Sequence, residues 1–232
     1  MTHTASVELD SACTPQDIEN RSFAIIDQEL PPPRPFEGPL WQVARRCIHT
    51  LGDTDILGDL RLSAKGLEAG VAALMRGCTV YTDTRMAAAG LPMRRLTPLG
   101  VTVTPIMALP GLDELARAKN TTRSRAGLES LAGQMSGHIM VIGNAPTALL
   151  GLLDVLDRGA PPPALIVGMP VGFVNAAQSK ELLRRSPWPH FTLLGRKGGS
   201  AVAAACVEEA AGRVPVVAHI GEVSTRETIR LG

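Results

Sequence analysis

Short apolar runs alternate with helical segments over most of this chain, and this alternation restricts the fold more than any other feature of the sequence. Each run of aliphatic and β-branched residues is followed by a turn of small or polar residues and then by a helical segment. Strand, loop and helix repeated at least four times are typical of a parallel sheet covered by helices. The sequence therefore predicts one α/β domain, with strands over 79–82, 101–106, 138–142, 164–167 and 191–194.

Two predicted helices precede this alternation. Thr14 and Pro15 are typical of an N-cap and a first helical residue, and the helix should run to about Leu30, where a proline-rich connector begins. The second helix begins near Pro39, with apolar residues at helical spacing. Further helices are predicted after Ser63, over 112–135, from 144–146, near Asn175 and over 200–211. We expect a flexible terminus over 1–14, the domain over 15–217 and a loose tail over 218–232.

The composition argues against nucleic-acid and membrane partners. The net charge is only +1, and no apolar stretch approaches the roughly 20 residues that a membrane-spanning helix needs. The four cysteines are isolated, with no C-x-x-C pair to indicate a metal or redox site, and the N-terminus has no apolar signal segment. We therefore expect a soluble, cytoplasmic protein.

Polar and glycine residues follow the predicted strands. In open α/β sheets, ligands bind at the carboxyl ends of the strands, where glycine also lets a ligand approach the backbone. This edge of the sheet is therefore the expected binding site. The residues that follow the strands are Asp83, Asn144, 168–170 and 195–200.

The turn over 195–200 has the sequence GRKGGS, in which backbone N–H groups could receive an anion. It lacks the spacing of a P-loop, and no G-x-G-x-x-G follows the first strand, so a nucleotide-dependent enzyme is a weak hypothesis. A carboxylate would suit the same donors. A tight strand-to-helix turn without any ligand also remains open.

His49 is the one candidate acid. It lies with Arg45, Arg46 and Asp53 within nine residues, and imidazole is a natural proton donor near neutral pH. A histidine on the flank of a helix is more often a boundary residue, so this alternative stays open. No second histidine stands at metal-ligand spacing, and the chain has no G-x-S-x-G elbow. The residues alone predict an α/β protein with an anion-binding edge and one candidate acid.

Seven blocks of sequence, in order over about 15–211, resemble the precorrin-8X methylmutase family. The three most specific parts of the match are GNAPTAL, GMPVGFVNAAQSK and GRKGGSA. The full blocks are IENRSFAIID (18–27), VARRCIHTLGD (43–53), AGVAALMRGCTVYTDTRMAAAGL (69–91), TTRSRAG (121–127), GHIMVIGNAPTALLGLLD (137–154), PALIVGMPVGFVNAAQSKELL (163–183) and GRKGGSAVAAA (195–205).

The resemblance implies a homodimer with a Rossmann-like parallel sheet, helices on both faces, and an active site near the subunit boundary. Apolar residues over 163–174 and 201–205 exceed what one sheet needs, which also favours a dimer. The implied reaction moves a methyl group from C-11 to C-12 of precorrin-8X and gives hydrogenobyrinic acid. The same reaction on cobalt-precorrin-8, giving cobyrinic acid, and a non-catalytic corrinoid carrier are alternatives. No metal or organic cofactor is implied, and neighbouring enzymes of cobalamin biosynthesis are possible partners.

The resemblance also implies the site residues. His49 matches the catalytic histidine of the family, and it would protonate the macrocycle. Arginines and the polar residues of the strand ends would bind the acetate and propionate carboxylates of the substrate. The expected substrate-binding residues are Arg45, Arg46, Asp83, Arg123, Asn144, Asn175, Lys180, Arg196, Lys197, Gly198, Gly199 and Ser200.

Overall fold

The sheet has six strands in the order β1-β6-β5-β4-β2-β3, as seen in a computed structural model that describes residues 14–215. All neighbouring strands are parallel except β1, which pairs antiparallel with β6. The central strands β4 and β5 are buried along their whole length, as expected of parallel strands covered on both faces. The strands are β1 (Leu60–Leu62), β2 (Thr79–Thr82), β3 (Thr102–Pro105), β4 (Ile139–Ile142), β5 (Leu165–Gly168) and β6 (His190–Leu193).

Ten α-helices surround this sheet within residues 14–215, and the predicted α/β class is confirmed. The helices are α1 (Pro15–Glu29), α2 (Gly38–Leu51), α3 (Ala64–Met75), α4 (Arg85–Ala89), α5 (Met93–Leu96), α6 (Leu112–Ala118), α7 (Arg123–Ser130), α8 (Pro146–Asp157), α9 (Ala176–Arg185) and α10 (Ser200–Ala211). Short 3-10 helices occupy Thr54–Gly58, Thr97–Leu99, Ile106–Ala108 and Ala132–Gln134.

The local signals at helix ends explain where the first two helices begin and end. Thr14 caps α1 in a capping box with Asp17, in which each side chain receives a hydrogen bond from the backbone of the other residue. Helix α2 ends at Leu51 and is capped by Gly52, whose φ of +62° favours glycine. The helix predicted over 112–135 is instead divided into α6, α7 and a 3-10 turn, because Asn120 has a φ of +47° and Thr122 caps a new helix.

The core consists of two clusters, one on each face of the sheet. One cluster joins the sheet to α2, α3 and α10, and the other joins it to α7, α8 and α9. Val202, Ala203 and Ala204 belong to the first cluster and Ala205 is also buried, so this apolar stretch serves the monomer core and gives no support to a dimer surface. Most of the second apolar stretch, up to Met169, is buried in the same way, whereas Phe173 and Val174 are exposed.

The described residues include most of the predicted domain. The first 13 residues of the expected flexible terminus and the expected tail over 218–232 lie outside them. Within the described part of the chain, no helix is long and apolar enough to cross a membrane.

Candidate functional site

His49 lies in the last turn of α2, where α1 packs across it. Its Nδ1 shares a hydrogen bond of 2.8 Å with Ser22 Oγ on α1. The ring also meets Phe23 edge to face, with 5.4 Å between the ring centroids. Because both contacts are on α1, that helix sets the orientation of the imidazole. Nε2 is then the ring nitrogen left to face a ligand.

A cavity of about 470 Å³ opens beside His49. Much of its lining comes from one face of α1, and the rest comes from the end of α2 and the segment that follows. Four isoleucines give it an apolar wall, while Arg21, Glu29 and Asp53 supply charge. The isoleucines are Ile18, Ile25, Ile26 and Ile48.

Arg45 joins α2 to α1. Its guanidinium donates to Asp27 at 2.6 Å and lies 4.3 Å from the centre of the Phe23 ring. Asp27 also accepts hydrogen bonds from Arg34 at 2.9 Å and from Trp41 Nε1 at 2.8 Å. Burial alone would raise the pKa of Asp27, but these donors outweigh it and hold the pKa below its ordinary value. Arg45 therefore supports the phenylalanine against which the His49 ring rests.

Arg46 is buried on the side of α2 that faces α1 and α10. Its guanidinium forms ion pairs with Glu19 on α1 and with Glu209 on α10. The hydrogen bond from Arg46 lowers the pKa of Glu19. Neither Arg45 nor Arg46 belongs to the cavity lining within the described chain, and both connect helices.

Asp83 follows β2 at the expected edge of the sheet, but its side chain points inward and is fully buried. The carboxylate accepts hydrogen bonds from the N–H groups of Gly143, Asn144 and Ala145, at 3.2, 2.7 and 2.7 Å. Burial raises the pKa of Asp83 although these donors favour the charged form. Its observed role is to hold the loop after β4, which leaves the exposed Asn144 at the edge of the sheet.

Lys180 is fully buried below the turn over 195–200, the glycine turn. Its Nζ donates to the Lys197 carbonyl at 2.6 Å, and burial lowers the pKa of the amine to about 8. Gly199 N–H donates to the carbonyl of Met169 at 2.9 Å, so the turn also rests on the loop after β5. The buried lysine fixes the backbone whose N–H groups were predicted to bind an anion.

Gly198 is required by close packing. Its φ is +158°, and a Cβ atom there would lie 2.3 Å from the Met169 carbonyl oxygen. Gly198→Ala should therefore displace the turn and lower the free energy of unfolding by about 1–3 kcal/mol, measured by urea denaturation. Gly133→Ala is the matched control, since a Cβ at Gly133 meets nothing within 4 Å. Equal stability of the two variants would contradict this reading of the turn.

The glycine turn is connected to the cavity by one ion pair. Lys197 Nζ donates to Asp53 Oδ2 at 2.5 Å, and Asp53 lines the cavity with His49. The hydrogen bond from Lys197 holds the pKa of Asp53 below its ordinary value. The strand-end loops and the histidine thus belong to one continuous region of the protein.

The other predicted binding residues lie on the loops and helix starts at this edge. Ser200 begins α10, and its Oγ is 3.3 Å from Thr84 Oγ1. Arg196 lies over the exposed Phe173, and Asn175 caps α9 with a φ of +62°. Arg123 begins α7 and is 60% exposed beside Asp113. None of Arg196, Asn175 or Arg123 lines the cavity within residues 14–215.

Sequence reasoning missed the contribution of α1 to the site. Ser22 and Arg21 were not singled out, although the first orients His49 and the second lines the cavity. A signal was available, because Ile18, Ser22 and Ile25 recur at a spacing of three to four residues and so share one helical face.

Comparisons with known proteins agree with one another. A family model described as precorrin-8X methylmutase matches residues 17–212. The chain is 43% identical over 194 residues to the precorrin-8X methylmutase of Pseudomonas aeruginosa, covering 83% of this chain and 92% of the relative. It is 42% identical over 200 residues to the cobalt-precorrin-8 methylmutase of Salmonella typhimurium, covering 83% and 92%. A solved precorrin-8X methylmutase from Thermus thermophilus is similar with a TM-score of 0.76 at 38% identity, over 84% of this chain and 96% of that one. The chain therefore belongs to the precorrin-8X methylmutase family, isomerases of cobalamin biosynthesis.

Proposed function

We propose that this protein moves the methyl group from C-11 to C-12 of precorrin-8X, giving hydrogenobyrinic acid, with His49 as the general acid. The observation that carries the proposal is the placement of His49, whose ring is anchored through Nδ1 at the edge of an open cavity with an apolar wall. Nε2 is the atom that would hold the transferred proton.

Methyl migration within a conjugated ring needs no electron donor, water or external acceptor. Protonation withdraws electron density from the macrocycle and so favours the shift to the more conjugated product. The bound macrocycle would cover the apolar wall, and its carboxylates would favour the charged imidazolium. General acid catalysis of this type typically contributes about 10²–10⁴-fold.

The residues predicted to bind substrate would divide into two groups. Arg45, Arg46, Asp83 and Lys180 are engaged with other parts of the protein, so we propose that they hold the site in shape. The second group would contact the carboxylates directly through exposed side chains or through backbone N–H groups. It comprises Arg123, Asn144, Asn175, Arg196, Lys197, Gly198 and Ser200, whereas Gly199 belongs with the first group because its N–H is bonded to the Met169 carbonyl.

The substrate could be metal-free precorrin-8X or cobalt-precorrin-8. The relative from P. aeruginosa is named for the first and the relative from S. typhimurium for the second, and the two are about equally similar to this chain. Incubation of the purified protein with precorrin-8X and with cobalt-precorrin-8, followed by visible absorption, tests both substrates. Conversion of precorrin-8X to hydrogenobyrinic acid supports the proposal. Conversion of the cobalt form alone favours the alternative reaction, and binding without conversion favours a carrier.

We also propose a cytoplasmic homodimer. Phe173 is 82% exposed and Val174 is 78% exposed on the loop that follows β5, which leaves an apolar patch on the surface. Pairing of two copies about a twofold axis would cover this patch. The buried free cysteines suit a reducing cytoplasm.

Sedimentation should give twice the monomer mass of 24.5 kDa at micromolar concentration. Phe173→Glu should shift the protein toward the monomer, because it places a charge in the apolar contact. Met86→Glu is the control, since Met86 is 76% exposed on α4 and outside this loop. A monomeric wild-type protein would refute the dimer.

A further inference from the structure

Asp53 has two roles at the mouth of the cavity. Its Oδ1 accepts a hydrogen bond from the Asp55 N–H at 3.0 Å and thereby caps the 3-10 helix Thr54–Gly58. Its Oδ2 accepts from Lys197 Nζ at 2.5 Å. A carboxylate therefore lines the cavity that is proposed to receive a polyanion, and a lysine from the glycine turn neutralises it.

The two partners of this ion pair are not equally fixed. The backbone of Lys197 is anchored by Lys180, but its side chain is 52% exposed, whereas that of Asp53 is 29% exposed. Asp53 retains its cap hydrogen bond when the lysine leaves. The lysine has a flexible four-carbon chain, so it can turn to another acceptor without any backbone movement.

We propose that the Asp53–Lys197 ion pair is a latch that a carboxylate of the entering corrinoid opens by taking the place of Asp53 on Lys197. The proposal deepens the proposed function and rests on it, because it assumes a polycarboxylate ligand. Asp53 is then an internal competitor of the substrate, and it determines how strongly a carboxylate is preferred over an amide at this position.

The charges around the ion pair suit such an exchange. An ion pair between partly exposed side chains contributes little free energy, so a substrate carboxylate has little to overcome. The hydrogen bond to Asp53 raises the pKa of Lys197, and Asp55 and Asp59 raise it further, so the lysine stays charged at neutral pH. When the substrate arrives, a charged donor is already at the cavity.

Asp53→Asn tests the latch without removing the helix cap, since asparagine is an equally good N-cap residue. The full-length protein is titrated with hydrogenobyrinic acid at low ionic strength, and binding is followed by visible absorption. The Kd should fall about 2- to 5-fold, as expected when one exposed ion pair no longer competes. Lys197→Met should raise the Kd, and in that background Asp53→Asn should bring a smaller gain than in wild type, because no lysine is left to release.

Glu181→Gln is the matched control. It removes the same charge from another ion-paired carboxylate, on α9 and outside the cavity lining, and should leave the Kd unchanged. An unchanged or higher Kd for Asp53→Asn would mean that the ion pair between Asp53 and Lys197 stays formed when the ligand binds. That result would overturn the latch and leave the proposed function intact, since the wild-type protein still binds. Failure of the wild-type protein to bind hydrogenobyrinic acid would overturn both.

Discussion

Replacement of Arg46 by methionine should lower the free energy of unfolding by about 3 kcal/mol. The guanidinium is nearly buried between Glu19 and Glu209, and its removal takes away the ion pair of Glu19, whereas Glu209 keeps its ion pair with Arg213. Methionine preserves much of the side-chain volume, so the loss should reflect charge rather than a cavity. This expected loss of stability is at the lower end of the range for broken buried ion pairs, because the side chain of Glu19 is 30% exposed.

Urea denaturation at pH 7 measures this loss. Arg185→Met serves as the control, because Arg185 pairs with Glu181 while 68% exposed, and its removal should change stability by less than about 1 kcal/mol. The difference in the free energy of unfolding between wild type and Arg46→Met should also become smaller at acid pH. The pKa of Glu19 is lowered in the folded protein, so its contribution is present above the ordinary pKa of glutamate and is lost as the pH falls through the folded value. A loss below 1 kcal/mol would show that the pair does not hold α1 and α10 to α2.

The sheet could be predicted from the sequence because its central strands are continuous apolar runs between clear turn signals. Strand β2 occupies the predicted residues 79–82. The ends of β3, β4, β5 and β6 differ from the predicted ends by no more than one residue. Strand β1 was missed because three residues are too few to show a periodicity, and it is defined only by its pairing with β6.

The site was less predictable, because position along a strand does not fix where a side chain points. Asp83 stands at the expected strand end, yet its carboxylate turns inward to the loop after β4. Arg46 stands beside His49 in sequence, but its partners are on α1 and α10, and no local pattern indicates them. Lys180 looked like a ligand residue and is buried under the glycine turn.

Replacement of His49 by alanine should reduce kcat by about 10²–10⁴-fold, the contribution typical of a general acid. The loss should be specific to chemistry, because the proposed carboxylate-binding groups at the sheet edge remain. His49→Ala should therefore bind hydrogenobyrinic acid with a Kd close to that of wild type. His49→Asn should be similarly slow, since an amide can form a hydrogen bond but cannot deliver the proton.

Ser22→Ala separates orientation of the imidazole from proton transfer. This variant keeps the ring and loses only the 2.8 Å hydrogen bond to Nδ1, so its kcat should fall by less than that of His49→Ala. Rates are measured from the absorption change at saturating precorrin-8X, with circular dichroism to establish that each variant is folded. If His49 were only a boundary residue of α2, the alanine variant would lose some stability and retain its turnover. A folded His49→Ala protein with kcat within a few-fold of wild type would thus remove the histidine from the mechanism, and proton donation would have to come from another group at the cavity.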